Sequence, residues 1–157
     1  MECFGISDRA LRGRQFEKTM NKLFVHAKLA ANPPFAIYGG ESGKALEQID
    51  GSIEFDGCIY IVEIKWWEGS VIQKELSAFA GKVFMRSGSH VRGLFVSASP
   101  YTEGAIAVAK EAYAKDRPIL LLTLREFFDC VTADGSIRDL LAKRIRLLAD
   151  KKQVTPD

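Results

Sequence analysis

An α/β domain with a helix, three strands, a helix and a strand (αβββαβ), its central mixed sheet flanked by helices, is the fold the sequence predicts. Three observations predict it. Near the N-terminus, Phe16, Met20, Leu23, Phe24 and Ala27 recur at i, i+4, i+7, i+8 and i+11, which makes one apolar helical stripe. Two β-rich runs then flank Asp56-Gly57, a dipeptide suited to a two-residue hairpin turn. Beyond residue 70, helical patterns alternate with apolar strand-like runs.

The elements follow in order. Residues 8–31 read as the first helix, with Ser7 as N-cap, Asp8 favourable in the first turn, and Asn32-Pro33-Pro34 as the stop. Gly13 costs that helix stability and would permit close approach of a backbone or a phosphate. Glu17 lies at the edge of the stripe, able to reach toward the sheet or to pair at the surface with Arg14 or Asn21. Phe35–Tyr38 is a short strand. The loop Gly40-Glu41-Ser42-Gly43-Lys44 lacks Walker glycine spacing, yet Ser42 and Lys44 could touch backbone phosphates. After the hairpin, Trp66–Ser70 turns the chain. A helix is expected from Gly69 or Ser70 to about Arg86, with Ile72, Leu76, Phe79, Ala80 and Val83 buried. Trp66 and Trp67 either pack beneath the hairpin or stack on bases, and packing is expected of one. Val91–Ala98 is a strand, Thr102–Lys115 a helix, and Pro118–Leu124 a strand buried on both faces. A short helix covers 125–131 and Asp134-Gly135 turns. Ser136 caps a last helix to about Asp150, its stripe being Ile137, Leu140, Leu141, Ile145 and Leu148. The polar tail Lys151–Asp157 is expected to fray. The whole chain, 1–157, reads as one domain with a core over about 8–125 and a helical extension over about 126–150.

The hairpin carries the chemistry. A two-residue turn at Asp56-Gly57 pairs Phe55 with Cys58, and the same register sets Asp50 opposite Glu63. Opposed residues share a face with Cβ atoms roughly 5 Å apart, and Lys65, two residues on, points to that face. Facing carboxylates repel, and a divalent cation removes the conflict. Mg²⁺ suits such a set: Asp50, Glu63, and the backbone carbonyl of Ile64 between Glu63 and Lys65. With Lys65 to orient water or offset negative charge, the chemistry that fits is metal-assisted hydrolysis of a phosphodiester. The plain alternative is a hairpin with a charged outer face and an ordinary Glu-x-Lys pair. Ile59 and Ile61 on the same face count against it.

These residues resemble the PD-(D/E)xK nuclease superfamily, and look most like the Mrr-like type IV restriction endonucleases. Asp50 matches the motif's Asp; Glu63 and Lys65 match its E-x-K. Gly13-Arg14-Gln15-Phe16-Glu17 is similar to the start of the family's first helix, which implies that Glu17 assists the metal site. Gly93–Ser97 followed by Tyr101–Ala105 resembles the later strand and helix. The resemblance spans about residues 10–125, and Ile49 stands where the motif name has Pro. It implies a restriction-endonuclease-like fold and a Mg²⁺-dependent deoxyribonuclease, with Mn²⁺ as substitute, in prokaryotic defence. It also implies a polar supporting residue on the second helix, for which Gln73 is the nearer match. A noncatalytic binding or assembly module on the same fold, or an RNA-directed nuclease, are the alternatives.

Composition sets bounds. Net charge is only +2, so nucleic acid is neither demanded nor excluded. Basic residues do cluster: Arg9, Arg12, Arg14 and Lys18 on the first helix, and Lys143, Arg144, Arg146, Lys151 and Lys152 near the C-terminus. Such clusters are more often solvated faces than binding sites. Cys3, Cys58 and Cys130 are widely spaced, and with His26 and His90 they offer no zinc pattern. A reduced, cytoplasmic setting is expected, with no signal peptide and no membrane partner. DNA is the expected partner. No separate specificity domain is visible, so recognition is expected from a homodimer or a larger multi-domain partner.

Overall fold

The computed structural model describes residues 7–38, 45–66, 69–86 and 88–155, without the side chains of residues 9 and 45–47. The Gly40–Lys44 loop, with Ser42 and Lys44, lies outside the described residues, as do Trp67 and Cys3.

Helix α1 runs Arg9–His26 and strand β1 follows at Ala30–Asn32. The N-cap is Asp8, whose carboxylate accepts from the Leu11 N–H at 2.8 Å, not Ser7 as the sequence suggested. The helix also ends before the prolines. Lys28 takes a left-handed φ of 55°, and the N–H groups of Lys28 and Leu29 bond back to Val25 and Phe24. That turn frees residues 30–32 from the expected helix to pair antiparallel with Ser52–Glu54.

Strand β2 is Phe35–Tyr38, as expected, but it leaves the main sheet. It pairs with β3 (Ala45–Ile49) in a separate two-stranded ribbon. Strands β4 (Gly51–Phe55) and β5 (Cys58–Lys65) form the expected hairpin with Phe55 opposite Cys58 and Gly51 opposite Val62. Asp56 (φ 52°) and Gly57 (φ 71°) are both left-handed, as a type I′ turn requires. Then come α2 (Gln73–Phe84), β6 (Val91–Ser97), α3 (Glu103–Ala114), β7 (Ile119–Thr123), α4 (Leu124–Thr132) and α5 (Ile137–Lys151).

The main sheet has the order β1-β4-β5-β6-β7, antiparallel as far as β5 and parallel beyond it. Along the chain its first part is α1-β1-β4-β5-α2-β6, the αβββαβ order, with Ala30–Asn32 as first strand in place of Phe35–Tyr38. Helix α2 packs Phe79 edge-on to Phe95, which is in register with Glu63. It sits so close that a Cβ on Gly93 would meet Phe79 and Val83 within 3.1 Å. Helix α1 sends Phe16 to Trp66 and Phe24 to Phe127 of α4. Consecutive strand residues point to opposite faces, so α1 with α4 and α2 cover the two sides.

Three expectations on packing change. Ile72 is the N-cap of α2 and is exposed, while Leu76, Phe79, Ala80 and Val83 are buried as expected. The tail does not fray over its described part. Val154 is buried, Gln153 N–H bonds to Leu147, and Thr155 offers its carbonyl to Arg144. Arg144, read as part of a solvated basic cluster, is buried against Glu126. Cys58 and Cys130 are free thiols. Among the described residues no helix is long and apolar enough to cross a membrane.

Candidate active site

The strand that precedes the hairpin breaks at Asp50, and the break makes the site. Gly51 holds a φ of 153°, and a Cβ there would lie 2.9 Å from Asn21 Oδ1 and 3.0 Å from the Asn32 carbonyl. Only glycine fits that approach. Asn21 donates its amide to the Asp50 carbonyl and to the Glu17 carbonyl, each at 3.1 Å, tying α1 to the break. Asp50 then turns its carboxylate onto β5, where Oδ2 accepts from the Ile64 N–H at 2.8 Å. Within a strand a residue's N–H and C=O leave on the same edge. The Ile64 carbonyl therefore faces the gap where β4 has stopped.

Glu63 is buried, and both its oxygens are engaged. Oε1 lies 2.7 Å from Lys65 Nζ, and Oε2 lies 2.7 Å from Lys82 Nζ. Lys82 also donates to the Gln48 carbonyl at 2.9 Å. Ile61 shares this face and is buried, while Ile59 at the outer end is exposed.

The charges reveal how close the groups stand. Burial raises the Asp50 pKa, and repulsion from Glu63 raises it further against the pull of the Ile64 N–H. Burial likewise raises Glu17, with repulsion from Asp50 and Glu63 offset in part by Lys65 and Arg14. Burial alone would lower Lys65. Attraction to Glu63, Asp50 and Glu17 outweighs it, so the lysine is held more firmly as an ammonium. Glu17, Asp50, Glu63 and Lys65 thus form one electrostatic cluster.

Gln73 does not join them. It is the first residue of α2, exposed, with its side chain against Gly104 of α3. Lys82, later on the same helix, is the residue that reaches the carboxylates. From the sequence, Lys82 had no part and Asn21 only that of a surface partner for Glu17. Asn21 had a signal, standing one turn after Glu17; Lys82 had none, because only the packing of α2 on the sheet brings it to Glu63.

The donor set is all oxygen, from two or three carboxylates and a backbone carbonyl, and suits a hard divalent cation. Among the described residues no group of three or more His, Cys, Asp or Glu is arranged to hold a metal ion, and the two ammonium groups already occupy the Glu63 oxygens.

No curated protein matches the chain. Among solved structures, a protein of unknown function, AF1548, is 17% identical with a TM-score of 0.48, covering 67% of this chain and 55% of its own. The restriction endonuclease MspJI, solved with a 27-mer oligonucleotide, is 15% identical with a TM-score of 0.42, covering 71% and 26%. A repair endonuclease from Pyrococcus abyssi is 18% identical with a TM-score of 0.42, covering 75% and 47%. The chain therefore spans about a quarter to just over half of these proteins. A family model described as restriction endonuclease, Mrr_cat, matches residues 9–131, most of the chain and all of the site elements. By that match, the chain belongs to the restriction endonuclease family of Mrr-type catalytic domains.

Proposed function

We propose that this domain hydrolyses DNA phosphodiester bonds as a Mg²⁺-dependent endonuclease, with Mn²⁺ as substitute, and serves in restriction or defence. The observation that carries the reading is the break at Asp50, which turns a buried carboxylate onto β5 beside Glu63 and Lys65. Asp50, Glu63 and the Ile64 carbonyl would hold the cation, with Glu17 assisting directly or through water. Bound there, the cation would supply Lewis acidity that lowers the pKa of water and stabilises charge on a phosphoryl oxygen.

The chain's own groups do the rest. Lys65, whose ammonium lies 2.7 Å from Glu63 Oε1, would orient the attacking water and offset negative charge. Lys82 offsets the charge of Glu63, with its ammonium 2.7 Å from Oε2, and would compete with a cation for that oxygen. Asn21 and Gly51 hold the Asp50 turn in place.

A second reading, a noncatalytic binding or assembly module, draws on the same pair of lysines, since they satisfy Glu63 without any metal. The test is incubation of supercoiled plasmid, single-stranded DNA and RNA with Mg²⁺, Mn²⁺ or EDTA, using wild type, Asp50→Ala and Glu63→Ala. Metal-dependent nicking of the plasmid, abolished by EDTA and by either substitution, is the expected result. No cleavage of any substrate hands the chain to the second reading, and cleavage of RNA alone changes the substrate class.

A further inference from the structure

Beside the carboxylate cluster runs an open trough of about 680 Å³. One wall is α1, which presents Arg14, Lys18, Lys22 and His26; the other is Ala31-Asn32-Pro33-Pro34. The four α1 residues recur every fourth position and all are exposed. They therefore share one helix face, with successive groups about 6 Å apart along the axis. Among the described residues lining the trough, Glu17 is the only acid, and it belongs to the site. Arg14 acts on Glu17 electrostatically, and Asn21, also in the lining, bonds the Asp50 carbonyl. The basic face thus leads into the carboxylates. The facing wall is uncharged, and its two prolines offer apolar surface and no N–H.

We infer, on the footing of the proposed function, that this trough carries the sugar-phosphate backbone of the DNA strand entering the site. Arg14, Lys18 and Lys22 contact successive phosphates and His26 adds a ring N–H donor at the far end. The second basic cluster is a different surface. On α5, Lys143, Arg146 and Lys151 are interleaved with Asp139 and Asp150, so the local field largely cancels.

The test measures binding without cleavage. Fluorescence anisotropy of labelled duplex and single-stranded DNA of equal length, in EDTA and over a salt series, compares wild type with Lys18→Ala/Lys22→Ala. Arg146→Ala/Lys151→Ala on α5 is the control. Each phosphate contact contributes a slope of about 0.9 in log K against log salt for duplex and about 0.7 for a single strand. The α1 variant should lose about 1.8 of slope on duplex or about 1.4 on single-stranded DNA, and that difference says which form the trough takes. Referred to 1 M salt, this is about 60-fold or about 25-fold weaker binding at 0.1 M. The control should keep the wild-type slope, and unchanged circular dichroism confirms that both variants fold. An unchanged slope in the α1 variant, an equal loss in the control, or no DNA binding by wild type overturns the inference. Cleavage in Mg²⁺ is read separately. Cleavage with an unchanged slope removes the trough and keeps the nuclease; a lost slope without cleavage keeps the trough and favours the binding module.

Discussion

Replacing Lys82 by Met tests the geometry of the site and its proposed chemistry together. The change keeps most of the aliphatic stem and removes one ammonium. That ammonium donates at 2.7 Å to Glu63 Oε2 and at 2.9 Å to the Gln48 carbonyl. The Lys82 side chain is 22% exposed and that of Glu63 7%, so the pair is largely withdrawn from water. Breaking a buried pair costs about 3–5 kcal/mol, and a hydrogen bond to a charged group contributes about 1.5–3 kcal/mol. The lower range applies, because Glu63 keeps Lys65 at 2.7 Å and Gln48 lies at the surface where water can replace the lost donor. The expected loss is about 1.5–2.5 kcal/mol, or about 3–10 °C in Tm for a domain of this size. Urea unfolding followed by circular dichroism, at pH 7 in EDTA, reads it. Divalent cation should then act unequally on the two proteins. In wild type the Lys82 ammonium competes with the cation for Glu63, whereas the variant lacks that competitor, so Mn²⁺ should raise the Tm of the variant more than that of wild type. A stability loss under about 0.3 kcal/mol would refute the Lys82–Glu63 pair. Equal Mn²⁺ shifts would refute the idea that this pair competes with the cation.

Lys65→Ala should lower phosphodiesterase activity by about 10²–10⁴ while calorimetry shows Mn²⁺ binding largely intact; full activity would move the hydrolysis site elsewhere. Asp50→Asn keeps an acceptor for the Ile64 N–H but removes the repulsion from Glu63. Because the folded pKa of Asp50 is raised, its ionised form burdens the fold above that pKa and not below the ordinary value of 3.8. The metal-free variant should therefore be more stable than wild type at pH 7 by roughly 0.2–1 kcal/mol, with the advantage vanishing below about pH 4. It should also lose its response to Mn²⁺. Arg144→Ala removes a buried guanidinium that binds Glu126 at 2.9 Å and the Thr155 carbonyl at 2.6 Å. It should cost about 3–5 kcal/mol in urea unfolding, and a solvated-face value near zero would contradict the packing of the tail.

Local patterns in the sequence sufficed for much of this protein. The Asp56-Gly57 turn needs two left-handed residues, and that demand alone sets the hairpin register as far as Gly51 opposite Val62. The stripes of α1 and α5 and the cap Ser136 are equally local, since they depend on side-chain period and on one hydroxyl near free N–H groups. Other features were decided by contacts between distant segments. Residues 30–32 continue a helical pattern, but the left-handed Lys28 and the open edge of β4 draw them into the sheet. The strand before the hairpin looks continuous through Asp50. It breaks at Gly51, where a φ of 153° and the closeness of Asn21 and the Asn32 carbonyl from other elements leave room for glycine alone. Arg144 reads as surface charge until Glu126 and Thr155 close on it. Lys82 lies 19 residues from Glu63, with no spacing rule to link them, and a long flexible side chain can reach any carboxylate its helix is packed against. The sequence by itself determined which residues can do chemistry and the hairpin register from Phe55–Cys58 to Gly51–Val62, because hairpin register is a local property. Only the tertiary structure decided which lysines balance those carboxylates and how the chain bends at Asp50, because charge pairing and close backbone approach depend on how distant elements pack.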